Sequence, residues 1–251
     1  MMFAFLGVRL LTEFACPAED LAENLAEVKA EIARAKAEGA HAAANVKLLA
    51  VSKTVPADVV TACWRLGVDG LAENRVQELL MKQEELPADA KWHLIGHLQT
   101  NKVRQIIGRV QMIHSLESWR LAEEIEKRAA AQNIIVPCLL EVNVAAEDSK
   151  FGLAPAEVWD FVQAAAKLPH LRLDGLMTVA PNAPAEEVRP VFAELRELRD
   201  GINGRAEKIA DLQVVLQELS MGMSNDYKVA VEEGATMVRV GSRIFGGRVY
   251  R

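Results

Sequence analysis

The stretch LLAVSKTVPADVV, residues 48–60, decides how the rest of the chain is read. Its apolar run, Leu48 to Val51, has the length and composition of a buried strand, expected over 46–52. It runs straight into Ser52 and Lys53, and a Thr-Val-Pro turn then opens a helix expected over 56–66. Gly, Asp or Asn commonly closes such a strand. A lysine wedged between core and turn asks for a role.

Outward from this unit the same alternation repeats. Further strand-like segments lie at 68–72, 92–96, 112–116, 135–144, 171–179, 214–222 and 236–242. Helical patterns follow them at 75–85, 98–107, 118–132, 155–167, 185–207 and 224–233, and a short tail ends the chain. A further helix at 19–38 comes first, with Leu21, Leu25, Val28 and Ile32 at helical spacing and Gly39 as its stop. Strands alternating with helices imply a parallel sheet. The expected class is therefore α/β. Eight units in 251 residues favour a single (β/α)8 TIM barrel with an extra N-terminal helix over its rival, an open doubly wound sheet. Residues 1–18 read as a separate tail and 19–251 as one barrel domain.

Composition narrows the partners. The chain is 51% hydrophobic and 25% charged, as soluble globular chains are, and its net charge of −6 comes without a basic block, which argues against nucleic acid. Cys16, Cys63 and Cys138 are scattered without CxxC spacing, which argues against a disulfide framework or a zinc site and fits a reducing, cytoplasmic setting. The apolar N-terminal run is short and broken by Arg9, so it reads as a frayed tail or an overlong start rather than a secretory signal. No apolar run approaches the roughly 18 residues of a membrane span.

In a barrel, functional residues gather at the C-terminal ends of strands. Lys53, Asn74, His93, His114, Glu141, Met177, Ser220 and Arg239 all fall at or near such ends. Loops are polar anyway, but that explains poorly a Lys or Arg embedded in apolar sequence. SMGMSND (220–226) and VRVGS (238–242) bring Gly and Ser to the ends of strands seven and eight, where barrels commonly hold phosphate. Helix capping by Ser220 or Ser224 is the plain alternative. A desolvated lysine across the same mouth is a candidate nucleophile, and with a phosphate site opposite it the natural cofactor is pyridoxal 5′-phosphate (PLP). A lysine reaching out to solvent or to a carboxylate is the other reading.

LLAVSKTVP, AENRVQE, WHLIGHLQTNK, IHSLES, EVNVAAEDSKFGL, GLMTVAP and LSMGMSNDYKVAVEEGATMVRVGSRIFG, in this order, resemble the YggS/PROSC family of PLP-binding proteins, the PLP homeostasis proteins. The resemblance runs from about residue 46 to 247. It implies a barrel similar to the N-terminal domain of bacterial alanine racemase and a Schiff base between PLP and Lys53. It further implies Asn74 beside the ring, Ser224, Gly241 and Ser242 on the phosphate, and Arg239 near the pyridine nitrogen, with His93, Met177 and Met223 lining the pocket. Arginine rather than a carboxylate at that nitrogen weakens the electron sink of PLP, so a broad transaminase is not expected. Two positions depart from the family pattern: Ala72 where Gly is usual, and Arg243 where a small residue is common.

Two functions from different classes follow. The first is a PLP carrier acting in intracellular vitamin B6 and amino-acid homeostasis, cytoplasmic and monomeric, which hands PLP to apo PLP-dependent enzymes without turnover. The second is a slow or narrow-specificity amino-acid racemase, with Lys53 as one base and a cysteine or a tyrosine, Tyr227 or Tyr250, as the other. Racemisation needs opposed bases. The chain ends at Arg251, soon after the eighth strand, so the sequence favours the carrier. A third reading is a barrel that binds another phosphorylated ligand without Lys53 chemistry.

Overall fold

The computed structural model describes residues 18–147, 151–210, 212 and 214–246. Eight parallel strands close on themselves in sequence order. They are β1 Lys47–Val51, β2 Gly70–Glu73, β3 Trp92–Leu94, β4 Met112–Leu116, β5 Val136–Glu141, β6 Leu171–Met177, β7 Glu218–Met223 and β8 Met237–Val240. Closure rests on β8 pairing with β1, with Leu49 opposite Arg239 and Ala50 opposite Val240. The helices are α1 Ala18–Glu38, α2 Ala57–Arg65, α3 Val76–Glu85, α4 Val103–Ile106, α5 Trp119–Gln132, α6 Val158–Ala165, α7 Ala185–Ala206, α8 Tyr227–Glu232 and α9 Ser242–Phe245.

Strand alternation sorts the side chains. Leu48, Ala50, Leu71, Leu140 and Val238 face the helices and join the large outer core. Leu49, Val51, Ala72, Met112, Leu139, Met177 and Met237 form a separate cluster inside the barrel. Continuing the alternation by two residues along β1 and β2 carries Lys53 and Asn74 to the open C-terminal end of that interior. Ala72 is fully buried and its φ is not positive, so alanine fits where the family pattern has glycine.

Helix α1 buries Leu21, Leu25, Val28 and Ile32, each worth about 1.5–3 kcal/mol over exposure. Its polar side reaches the end of the barrel: Asn24 Nδ2 donates to Ile244 O at 3.2 Å, and Arg243 pairs with Glu27 and Glu31. Arg243 therefore points to α1 and not into the mouth. The expected tail over 1–18 lies outside the described residues but for Ala18, the first residue of α1.

Several boundaries differ from the sequence reading: β3 ends at Leu94 rather than 96, β5 at Glu141 rather than 144, and α6 covers Val158–Ala165 within the expected 155–167. The helix after β3 is a 3-10 turn, Thr100–Lys102, leading into the four-residue α4, because Gln99 is still extended and Gly108 at φ 75 ends the segment. Strand β7 starts at Glu218 rather than 214, since the Leu216 amide and carbonyl are both bonded by the Asn203 side chain of α7 at 2.9 Å. Helix α8 starts at Tyr227 rather than 224, because Asp226 Oδ1 accepts the Met223 amide at 2.5 Å and folds 224–226 into a turn. The expected C-terminal tail begins as the short helix α9.

Candidate functional site

A cavity of about 600 Å³ opens at the C-terminal ends of the strands. Lys53, Asn74, Met223, Ser224, Arg239, Gly241 and Ser242 all line it. His93 and Met177 do not: Met177 sits in the inner apolar cluster, and His93 lies in the interior beside His114. The rim also takes Val179 to Ala183, Asn225 and Phe245, of which Asn182 and Ala183 lie outside every motif quoted above.

Lys53 follows β1 in a turn whose next residue, Thr54, has φ 65. A β-branched residue there is strained. Thr54 Oγ1 donates to Lys53 O at 2.6 Å, and the Thr54 amide donates to Glu78 Oε1 at 2.5 Å. Asn74 is fixed by a close backbone approach: a Cβ on Gly96 would fall 2.4 Å from Asn74 O. Asn74 Oδ1 is buried and accepts no hydrogen bond. A buried acceptor without a donor is costly, which marks it for a ligand.

Across the mouth, the turn 224–226 meets the start of α9. Ser224 Oγ accepts the Gly241 amide at 3.1 Å, which ties the two loops together. The first-turn amides of α9, Ser242 and Arg243, have no carbonyl within the helix to bond. Gly241 lies close under β1, with its would-be Cβ 3.2 Å from Val51 O. Small side chains and unspent amides make this edge a cradle for an anion.

Arg239 forms the floor and is 3% exposed. Its two terminal nitrogens donate to Ser220 Oγ at 2.6 Å and to Thr178 O at 2.8 Å, both neutral acceptors. Burial lowers its pKa to about 10, with Glu141 and Asp226 opposing the shift, so it stays a cation at neutral pH. Behind it a hydrogen-bonded chain runs down the barrel. Ser220 Oγ bonds His114 Nδ1 at 2.9 Å, and His114 Nε2 bonds His93 Nδ1 at 3.0 Å.

Burial, followed by Lys47 and Lys91, lowers His93 to about 4; burial also puts His114 well below the ordinary range. Both imidazoles are therefore neutral in the folded protein, whereas an unfolded histidine takes up its proton near pH 6.5. The unfolded chain binds the extra protons, so this pair lowers stability as pH falls from about 6.5 toward 4. Glu141, pushed up to about 7 by burial and by Glu117, contributes in the opposite sense, its stability lost as pH rises between about 4.5 and 7. The two trends oppose each other in any bulk melt, so the imidazoles must be read directly. Their side-chain nitrogen resonances are expected to hold neutral values down to about pH 5. Protonation of either ring near pH 6.5 would contradict the buried chain.

The residues named for a second base are accounted for in part. Tyr227 is buried and donates its hydroxyl to Glu31 of α1, away from the cavity. Burial raises the Cys63 thiol to about 12 and shifts Cys138 up as well, and both lie in the outer core. Tyr250 and Cys16 lie outside the described residues. Among the described residues, the cavity lining holds no Tyr, Cys or His. No helix among the described residues is long and apolar enough to cross a membrane, and no group of three or more metal-ligating side chains could hold a metal ion.

Comparison with known proteins places the chain in a defined company. A family profile described as "Alanine racemase, N-terminal domain" matches residues 18–249. A protein named "Pyridoxal phosphate homeostasis protein" from Aquifex aeolicus is 44% identical over 230 residues, covering 91% of this chain and 98% of that one. Among solved structures, PipY of Synechococcus elongatus with PLP bound superposes with a TM-score of 0.77 at 35% identity, over 90% of this chain and all (100%) of that one. Alanine racemase of Clostridium difficile shares the barrel alone: the TM-score is 0.66 at 15% identity, over 92% of this chain and 57% of the racemase.

Proposed function

As a member of the alanine racemase N-terminal domain family, the chain belongs with the pyridoxal phosphate homeostasis proteins, and we propose on that premise that it holds PLP at the mouth of its barrel and serves the intracellular PLP pool. The residues present fit the cofactor. The carrying observation is one cavity with an amine, an orphaned buried acceptor and an anion cradle on its walls: Lys53, Asn74 Oδ1, and the joined loops at Ser224, Gly241 and Ser242.

When bound, PLP supplies an aldehyde that condenses reversibly with an amine. Lys53 presents that amine. Ser224, Gly241 and Ser242 would take the phosphate, with amides available at the start of α9. Asn74 offers its acceptor to the ring side, and Met223 lies against the same pocket. Arg239 holds a positive charge at the floor, and a ring nitrogen bound beside it would be kept unprotonated. His93 and Met177 act from beneath, His93 through its hydrogen-bonded chain to Arg239 and Met177 through packing.

The same cavity supports a carrier rather than turnover. Among its described lining residues, the groups able to move a proton are Lys53 and Asp226, and Asp226 Oδ1 already accepts the Met223 amide. Residues 19–251 would act as one cytoplasmic, monomeric PLP-binding unit, with apo PLP-dependent enzymes as recipients.

The test mixes PLP-loaded protein with an apo PLP-dependent enzyme, and separately with amino acids deuterated at Cα. The expected result is recovery of the recipient's activity without loss of deuterium from any amino acid. Deuterium wash-out would favour a racemase, and failure either to donate or to buffer PLP would overturn the carrier reading.

A further inference from the structure

A buried ionic cluster outside the cavity clamps the turn that carries Lys53 from both sides. Lys82 of α3 is 6% exposed and donates its ammonium to Ser52 O at 2.6 Å, Glu73 Oε1 at 2.5 Å and Glu78 Oε1 at 2.9 Å. Ser52 Oγ donates to the same Glu73 Oε1 at 2.7 Å, and the Thr54 amide donates to the same Glu78 Oε1 at 2.5 Å. Glu73 Oε2 accepts the amide of Asn74 at 3.3 Å. The cluster thus grips Ser52 and Thr54, the residues before and after Lys53, and reaches the backbone of the orphaned Asn74.

This arrangement has an energetic logic. Strain at Thr54 persists only if its surroundings over-determine it. Burying Lys82 and Glu73 is costly unless each charge is paired and hydrogen-bonded, and here each is. A surface turn of ordinary purpose needs no such anchor. The gain is a fixed Lys53, and small displacements of a reacting group are worth large factors in rate.

We propose that Glu78 and Lys82, acting with Glu73, are positioning residues for Lys53: they hold the strained 52–54 turn so that the amine faces the cavity before any ligand arrives. This rests on the reading of Lys53 as the cofactor amine, but its structural half stands in the ligand-free protein and is measured there.

Lys82→Met would strand the buried Glu73 carboxylate, so the test uses Glu78, which is partly exposed on α3 and tolerates change at lower cost. Glu78→Ala removes the acceptor for the Thr54 amide, whereas Glu78→Gln keeps an oxygen in its place. In ligand-free protein, hydrogen exchange of the Thr54 amide is expected to quicken at least about tenfold in Glu78→Ala and to stay near wild type in Glu78→Gln. Covalent capture of PLP by Lys53, trapped with borohydride, is expected to slow at least about tenfold in Glu78→Ala, with rescue in Glu78→Gln. Unchanged exchange at Thr54 in a folded Glu78→Ala protein would overturn the clamp. So would quickened exchange with unchanged capture, which would leave the cluster structural only. If wild type itself captures no PLP, the cofactor reading fails, and the exchange data alone decide whether the turn is held.

Discussion

Lys53→Ala protein is expected to bind PLP at least about a hundredfold more weakly than wild type, a loss of about 2.7 kcal/mol, and to fix none of it on borohydride treatment. Lys53 is the only lysine among the described residues that line the cavity, and Arg239 at the floor is bound to Ser220 and Thr178 and stays protonated. No other described side chain there carries an amine. The anion cradle at Ser224, Gly241 and Ser242 survives the substitution, so residual binding that a competing phosphate displaces is part of the expectation. The measurement is the visible absorbance of the reconstituted protein before and after borohydride, followed by peptide mapping. A fixed adduct in the Lys53→Ala protein, or an adduct mapped elsewhere in wild type, would refute the assignment. No adduct and no visible band in wild type would favour the third reading, a phosphorylated ligand held without Lys53 chemistry.

The second large effect belongs to Gly222, in the strand that leads into the phosphate-side turn. Its φ is 89, and an added Cβ would lie 2.5 Å from the Ala230 Cβ and 2.9 Å from the Tyr227 Cα. The first contact is with a side chain that has no rotamer to escape into, and the second is with backbone. Gly222→Ala is therefore expected to destabilise the fold by about 3 kcal/mol or more, combining strain at positive φ with overpacking. For a chain of this size that is a fall in Tm of roughly 6–12 °C. Because α8 must back away from β7, the 224–226 turn moves with it, and phosphate affinity should fall too. A Gly222→Ala protein with unchanged Tm would mean that α8 is not seated on β7 as described.

Much of this was legible in the sequence, and for identifiable reasons. Strand and helix identities follow from local periodicity, so all eight strands and the leading helix could be read from patterns such as Leu48–Val51 or Leu21–Ile32. Lys53, Asn74, Ser224, Arg239, Gly241 and Ser242 could be found because a parallel barrel brings the C-terminal ends of its strands to one mouth, whatever their separation along the chain. Boundaries were less legible where a distant side chain ends a pattern. Asn203 on α7 holds back the start of β7, and the Asp226 carboxylate, by accepting the Met223 amide, folds 224–226 into a turn that delays α8.

What only the tertiary structure decided is the direction of individual side chains. Sequence put His93 and Met177 at a strand end and therefore near the cavity, yet both are turned into the interior below it. Tyr227 sits three residues past Ser224 but donates its hydroxyl to α1, and Arg243 follows Ser242 but pairs with α1 as well. Lys82 stands four residues after Glu78 on α3, a spacing that by itself says nothing of burial. It is the buried centre of the cluster that grips Ser52 and Thr54. Periodicity is a property of neighbours along the chain, and it fixed the elements and their order. A hydrogen bond between residues 30 apart depends on how the closed sheet sets α3 against the end of β1, and that is settled only when the barrel closes.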